Sequence, residues 1–267
     1  MRKLFTRGCL GLLAGLGLAS QALASPMINS AVVLERVFND IPSSTLTSSD
    51  LYPGSITISD QHVSSASGWA NRHGFSLSEN DTTAAVFYNN DAFAFSADVT
   101  LSCTTGSAEG GLRLSPWWSH DVDGQYMLNA ASGEVAIFGG RLPFYSFTAN
   151  HGISYTQGTT VRLGMIYSPN GLSQADPATI IYTYEDGSGS YSSGPLAFNQ
   201  TNPNDPPEYG DWGMLNDARV GGYFQVVNNP NNPDHGATIV WGNMVYVPEP
   251  ASLALLGLSG LALLRRR

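Results

Sequence analysis

Residues 93–103 read Phe-Ala-Phe-Ser-Ala-Asp-Val-Thr-Leu-Ser-Cys. Phe93, Phe95, Ala97, Val99, Leu101 and Cys103 fall on one side of a period-two pattern, with Ala94, Ser96, Asp98, Thr100 and Ser102 on the other. Successive side chains of a strand point to opposite faces, so this stretch reads as a strand with one buried face and one wet face. Cys103 belongs to the apolar set and is expected to be a buried small hydrophobe rather than a reactive thiol, which would need an electropositive, accessible setting.

The same rhythm extends on both sides. Val161, Leu163, Met165 and Tyr167 share one face, leaving Arg162 and Gly164 on the other; Ile180, Tyr182 and Tyr184 oppose Ile181, Thr183 and Glu185. Further strands are expected over 31–38, 55–59, 74–78, 84–88, 110–115, 125–130, 134–138, 144–148, 190–198, 220–227 and 238–246, with turns rich in Gly, Pro, Asn and Asp between them. Helical periodicity is almost absent, which points to an all-β sandwich or barrel. Two stretches, 200–212 and 228–236, carry too much Pro, Asn and Gly for strands and are expected to be long loops.

From residue 92 to 246 the order of these features resembles the concanavalin A-like jelly roll of lectin, laminin-G-type and glucanase domains. The likeness rests on 93–101, 124–128, 160–167, 179–184 and the closing Ile239-Val-Trp-Gly-Asn-Met-Val-Tyr246. It is one of strand order, and it implies a jelly-roll β-sandwich and a carbohydrate ligand.

The two ends carry an address. Arg2, Lys3 and Arg7 precede a Leu/Ala/Gly run and then Ala22-Leu23-Ala24, the three parts of a secretory signal peptide with small residues at the two positions the peptidase reads, Ala22 and Ala24. Residues 1–24 are therefore expected to form a signal helix, to engage the Sec translocon and to be removed by signal peptidase. At the other end Pro248-Glu249-Pro250 precedes an uncharged segment, 251–264, and then Arg265, Arg266 and Arg267. As a helix this segment spans roughly 21 Å, short of a hydrocarbon core of about 30 Å, so it suits temporary rather than permanent retention in the inner membrane. The arginines would stay in the cytoplasm and leave the large domain outside. Residues 247–267 resemble the PEP-CTERM sorting signal of Gram-negative bacteria. That resemblance implies recognition by an exosortase and release to the cell surface or an exopolysaccharide matrix.

Between the ends lies one expected domain, 25–246. It holds six arginines, no lysine and twenty acidic residues, a formal charge of −14. Nucleic acid and anionic membranes are poor partners for such a surface. With Cys103 its only cysteine, it has no internal disulfide to draw on.

Motifs that would name a reaction are missing. Paired carboxylates at alternate positions on one strand, as retaining glucanases of this fold arrange them, do not occur. The five histidines, His62, His73, His120, His151 and His235, show no spacing of zinc ligands. Asp121-Val-Asp123-Gly124 resembles the start of a calcium loop but lacks its closing glutamate, so Ca2+ is at most a weak expectation there and a turn of solvated aspartates is favoured.

The best binding feature is Trp117-Trp118, between Pro116 and a polar stretch. An indole face stacks on the C–H face of a sugar ring while neighbouring polar groups meet its hydroxyls. If the pair lies on a strand, one indole is exposed and the other is core. Tyr126 and Arg162 are secondary candidates on expected strands. The sequence thus supports a non-enzymatic, carbohydrate-binding or matrix-associated surface protein, set against a glycoside hydrolase or lyase with an unrecognised site and a structural surface protein working through contacts with other proteins.

One expectation is checked directly. Mass spectrometry of the exported protein should find a C-terminus near Pro248-Glu249-Pro250; a mature chain that still carries residues 253–267 would show that the tail is kept.

Overall fold

The computed structural model describes residues 25–62, 68–104, 107–198, 212–228 and 235–248. The expected signal helix, the segment from 249 to the C-terminus and most of the two long loops lie outside the described residues. In chain order the strands are β1 (Ser30–Asn39), β2 (Thr45–Leu51), β3 (Ser55–Gln61), β4 (Ala70–Ser78), β5 (Phe93–Cys103), β6 (Ser107–Ser115), β7 (Gln125–Asn129), β8 (Val135–Phe138), β9 (Tyr145–Ser146), β10 (Thr160–Ser168), β11 (Thr179–Asp186), β12 (Gly189–Ser192), β13 (Leu196–Ala197), β14 (Arg219–Val227) and β15 (Gly236–Pro248). They build two antiparallel sheets. The first runs β1-β4-β14-β6-β7-β8-β9 and the second β12-β11-β10-β5-β15-β3-β2, with β13 beside β11. Consecutive strands such as β5 and β6, or β14 and β15, lie in opposite sheets, giving a jelly-roll sandwich.

The period-two reading explains the core. Phe93, Phe95, Ala97, Val99 and Leu101 of β5 are at most 1% exposed. They face Phe75, Leu112, Tyr126 and Phe224 of the first sheet within one continuous apolar cluster. Trp241 of β15 is fully buried, packs edge to face on Phe75 at 5.0 Å and donates its indole N–H to the Gly111 carbonyl at 2.9 Å. Gly222 makes room for it, since a Cβ there would lie 2.7 Å from the indole. Cys103, at the end of the series, is only half-buried, with Sγ 3.3 Å from Gln157 Oε1.

Local chemistry accounts for three departures from the expected elements. Residues 144–148 are not one strand: β9 ends at Ser146, whose hydroxyl accepts the Ala149 N–H at 3.0 Å and starts the short helix α1, Phe147–His151. Gly152, at φ 69°, stops it. Residues 84–88 form only isolated bridges, Ser78 to Ala84 and Phe87 to Ala218. Strand β2 had no sequence signal, because Thr-Leu-Thr-Ser-Ser-Asp-Leu is a polar edge strand exposed along nearly all its length.

One end of the sandwich collects three of the histidines. Asp60 is fully buried, accepts from Asn71 Nδ2 at 2.9 Å and lies 3.1 Å from His73 Nε2 and 3.4 Å from His62 Nε2. The His235 ring meets the His62 ring edge to face at 5.6 Å. Burial alone would raise the Asp60 carboxyl, but contacts from His62, His73, Ser44 and Asn71 outweigh it and hold the group well below the usual carboxylate range. Burial, and then the neighbouring His62, push His235 below the ordinary histidine value. Among the described residues, no group of three or more His, Cys, Asp or Glu is placed to hold a metal ion.

Both shifts act in the same direction. The unfolded chain protonates His235 near pH 6.5 and Asp60 near pH 3.9, while the folded chain resists both, so stability falls as pH falls. Thermal melts should show a first loss between about pH 7 and 5 and a further loss below about pH 4. His235→Asn should flatten the upper limb and Asp60→Asn the lower; melts independent of pH in the wild type would contradict the assignment.

Candidate functional site

Strand β6 buries Leu112 and Leu114 toward the core, so Arg113 points to the outer face of the first sheet. It is nonetheless fully buried. Its cross-strand neighbour on β14 is Gly221, and beyond that lies Ser76 of β4. With no side chain at Gly221 in the way, the guanidinium lies across the sheet and reaches the carbonyls of Gly222 and Phe75, each at 3.2 Å, and the Ser76 hydroxyl. Two residues along the same face, Tyr223 sits between Gly74 and Gly111, and the Arg72 guanidinium packs 4.5 Å above its ring.

These two arginines hold a loop. Arg113 donates to the His120 carbonyl, Arg72 to those of Asp121 and Val122, and the Ser115 hydroxyl to that of Asp123 at 2.7 Å. Residues 116–124 therefore lie over the outer face of the first sheet and close it. Burial pushes Arg113 down to about 10, with Asp121 working against the shift, so it remains charged at neutral pH. In the Asp121–Asp123 turn the first two carbonyls thus face the Arg72 guanidinium and the third the Ser115 hydroxyl.

The turn carries both tryptophans, and it is not a strand. Trp117–Ser119 form a single 3-10 turn, so alternation does not apply and neither indole enters the core. Trp117 is 41% exposed, Trp118 is half-buried, and the rings stand at 89° with centroids 5.8 Å apart. On the same stretch His120 Nε2 lies 3.3 Å from Asp217, which also binds Arg219 at 2.7 Å. The result is an aromatic corner on a braced loop, with His120, Asp217 and Arg219 on or beside the same stretch.

Tyr126 leaves the candidate set. It is fully buried between the sheets, stacks on Phe147 at 5.9 Å and donates its hydroxyl to the Thr183 carbonyl at 2.9 Å. Arg162 does reach the surface, but on the opposite sheet. There it is half-buried and pairs with Asp98 at 2.6 Å, so it and the tryptophans do not share one site.

Arg162 instead borders a groove of about 420 Å3 on the outer face of the second sheet. Strand register explains its shape. One row across β12, β11, β10 and β5 is Ser190, Glu185, Arg162 and Asp98; the next is Ser192, Thr183, Gly164 and Ser96, continued by Val245 of β15. Gly164 supplies the floor, since a Cβ there would lie 2.4 Å from the Thr183 hydroxyl. Sequence reading placed Arg162 and Gly164 on the outward face of β10, but the neighbours that complete the groove depend on register between strands far apart in the chain.

The chain is thus a jelly-roll β-sandwich that ends in a surface-sorting tag. Residues 247–267 match the PEP-CTERM protein-sorting motif, which marks a chain for export and cell-surface sorting in Gram-negative bacteria. Among the described residues no helix is long and apolar enough to cross a membrane. No curated protein matches the chain in sequence. Its fold is similar to that of the alginate lyase from Klebsiella pneumoniae, at 12% identity over 83% of this chain and 96% of that one, with a TM-score of 0.44. It is similar to the family 7 alginate lyase A1-II', at 8% identity over 82% and 94%, TM-score 0.46. It is also similar to the Emp46p carbohydrate recognition domain, at 10% identity over 79% and 90%, TM-score 0.40.

Arg113→Met should cost about 3–5 kcal/mol in unfolding free energy, because it strands several buried carbonyls. Amide exchange at residues 119–123 should quicken. Arg113→Lys should not restore either property, since an ammonium cannot fork to the same acceptors; an unchanged exchange pattern would show that the loop holds itself.

Proposed function

We propose that this chain is an exported cell-surface protein whose sandwich binds polysaccharide without cleaving it. The Trp117–Trp118 corner is the contact surface. The observation that carries this reading is an exposed indole on a loop braced by two buried arginines. An aromatic face presented on a fixed backbone loses little conformational freedom when a sugar ring stacks on it. His120, Asp217 and Arg219 lie on or beside the same loop and offer hydrogen bonds to hydroxyl groups.

Delivery follows from the ends. Residues 1–24 direct the chain to the Sec translocon and are removed by signal peptidase; the tail holds the protein in the inner membrane until an exosortase releases it to the surface or an exopolysaccharide matrix. The surplus of acidic residues keeps the sandwich soluble and away from nucleic acid.

The set of polar groups on the outer face of the first sheet does not offer a substrate surface. Arg72, Arg113, Tyr223 and Gln225 are all at most 5% exposed beneath the loop. A lyase or hydrolase would act on a bound polysaccharide, so the same experiment separates the readings. Immobilised exopolysaccharide of the producing cell should retain the protein, with no new reducing or unsaturated ends appearing in the eluate. Trp117→Ala should weaken retention at the corner about tenfold, equivalent to about 1.4 kcal/mol. Release of chain ends that a single carboxylate-to-amide change abolishes would establish an enzyme, and an unaltered affinity in Trp117→Ala would remove the corner from the site.

A further inference from the structure

We infer that the groove over Gly164 is a second carbohydrate site, selective for uncharged sugar, and that the two sites on opposite sheets make one sandwich a cross-linker of polysaccharide strands. The inference rests on the carbohydrate-binding reading for its ligand class and goes beyond it in site, charge selectivity and consequence.

The groove has the two-sided character that a pyranose ring requires. Its floor and one wall are apolar: Gly164, Ile166, Ala94 and the exposed Val245 and Val247. Its other wall is polar and rich in hydroxyl groups, from Thr183, Ser190 and Ser192, with Arg162 and Glu185 at the rim and the Ser96 hydroxyl between Gly164 and Val245. A sugar presents an apolar C–H face and a ring of hydroxyls, so each wall has a counterpart on the ligand. The volume, about 420 Å3, suits one or two sugar rings rather than a long buried segment.

Charge decides which sugar. Among the described residues Arg162 is the only cation lining the groove, and it is already committed. It binds Asp98 at 2.6 Å and the Ser96 hydroxyl at 2.8 Å, while Asn243 donates to the other Asp98 oxygen at 2.7 Å. Glu185, the partner of Arg162 on β11, therefore leaves its row with a surplus negative charge. A uronate or sulfated chain would meet that carboxylate with no free cation among the described lining residues to offset it, in a domain of net negative charge. A neutral sugar meets no such penalty.

Geometry then gives valency. The groove lies on the outer face of the second sheet, and the Trp117–Trp118 corner lies on the loop over the outer face of the first. A β-sandwich keeps its two sheets about 10 Å apart with one core between them, so the sites face away from each other and one strand of polysaccharide cannot fill both over a short span. Two strands held by one rigid domain are cross-linked.

The test uses the full-length chain and the exopolysaccharide of the producing cell, split by anion exchange into neutral and acidic pools. Binding is read on immobilised polysaccharide and cross-linking as turbidity, which should peak at intermediate protein and clear in excess. The wild type should bind and cross-link the neutral pool and leave the acidic pool clear. Val245→Arg, at an exposed rim position, and Gly164→Val, in the floor, should each keep binding but lose turbidity. The double change Trp117→Ala, Trp118→Ala should weaken binding without abolishing it and should also lose turbidity. Joining Val245→Arg to the tryptophan changes should abolish both readouts. If the tryptophan changes alone remove all binding and the groove variants change nothing, the groove inference fails and the corner stands. If groove variants alone abolish binding, the groove is a lone site and cross-linking fails. A wild type that prefers the acidic pool overturns the charge argument, and one that binds neither pool overturns both this inference and the reading it rests on.

Discussion

The placement of two guanidinium groups on the outer face of one sheet governs much of this molecule. Burying a charge is costly unless every donor finds an acceptor, and Arg113 meets that demand with carbonyls from β14, β4 and the 116–124 loop. Arg72 does the same for Asp121 and Val122 while lying on Tyr223. The loop is thereby tied down through its backbone carbonyls, with Asp121 paired to Arg113 and His120 to Asp217 besides. Trp117 is left exposed on its surface, with Trp118 half-buried beside it.

Glycine has two opposite uses on the two sheets. At Gly221 the missing side chain lets Arg113 lie flat and helps to seal one face. At Gly164 the same absence lets the Thr183 hydroxyl lie over the strand, in the floor of an open groove on the other face. A sandwich built of similar strands therefore acquires one closed outer surface and one open one. The difference comes from which residues flank each glycine across the sheet, and not from the strands themselves.

The last strand joins the sandwich to its address. β15 pairs with β5 as far as Val247 with Ala94 and Pro248 with Phe93, so the sorting motif begins inside the sheet. Proline lacks the N–H that would continue the ladder, which suits it to the end of a strand. Val245 and Val247 stand on the groove side of this strand, so the wall of the groove and the start of the motif are parts of one element.

Much of the fold could be read from the chain alone, because alternation with period two is a local property and burial follows from it. The faces of β5, β10 and β11 were legible residue by residue, as was the tail. Local capping by Ser146 and Gly152 was equally present in the sequence, though strand rhythm obscured it. The site was legible only in pieces. Tyr126 was lost to the core, the tryptophans proved to sit on a 3-10 turn, and Arg162 went to the far sheet. Sequence spacing cannot bring His62, His73 and His235 to Asp60, or set Arg162 between Asp98 and Glu185, because those neighbours come from register between distant strands. Patterning fixes which way a side chain points, whereas what it meets there is decided by which strands lie next to each other, and that is settled only when the two sheets close over a common core.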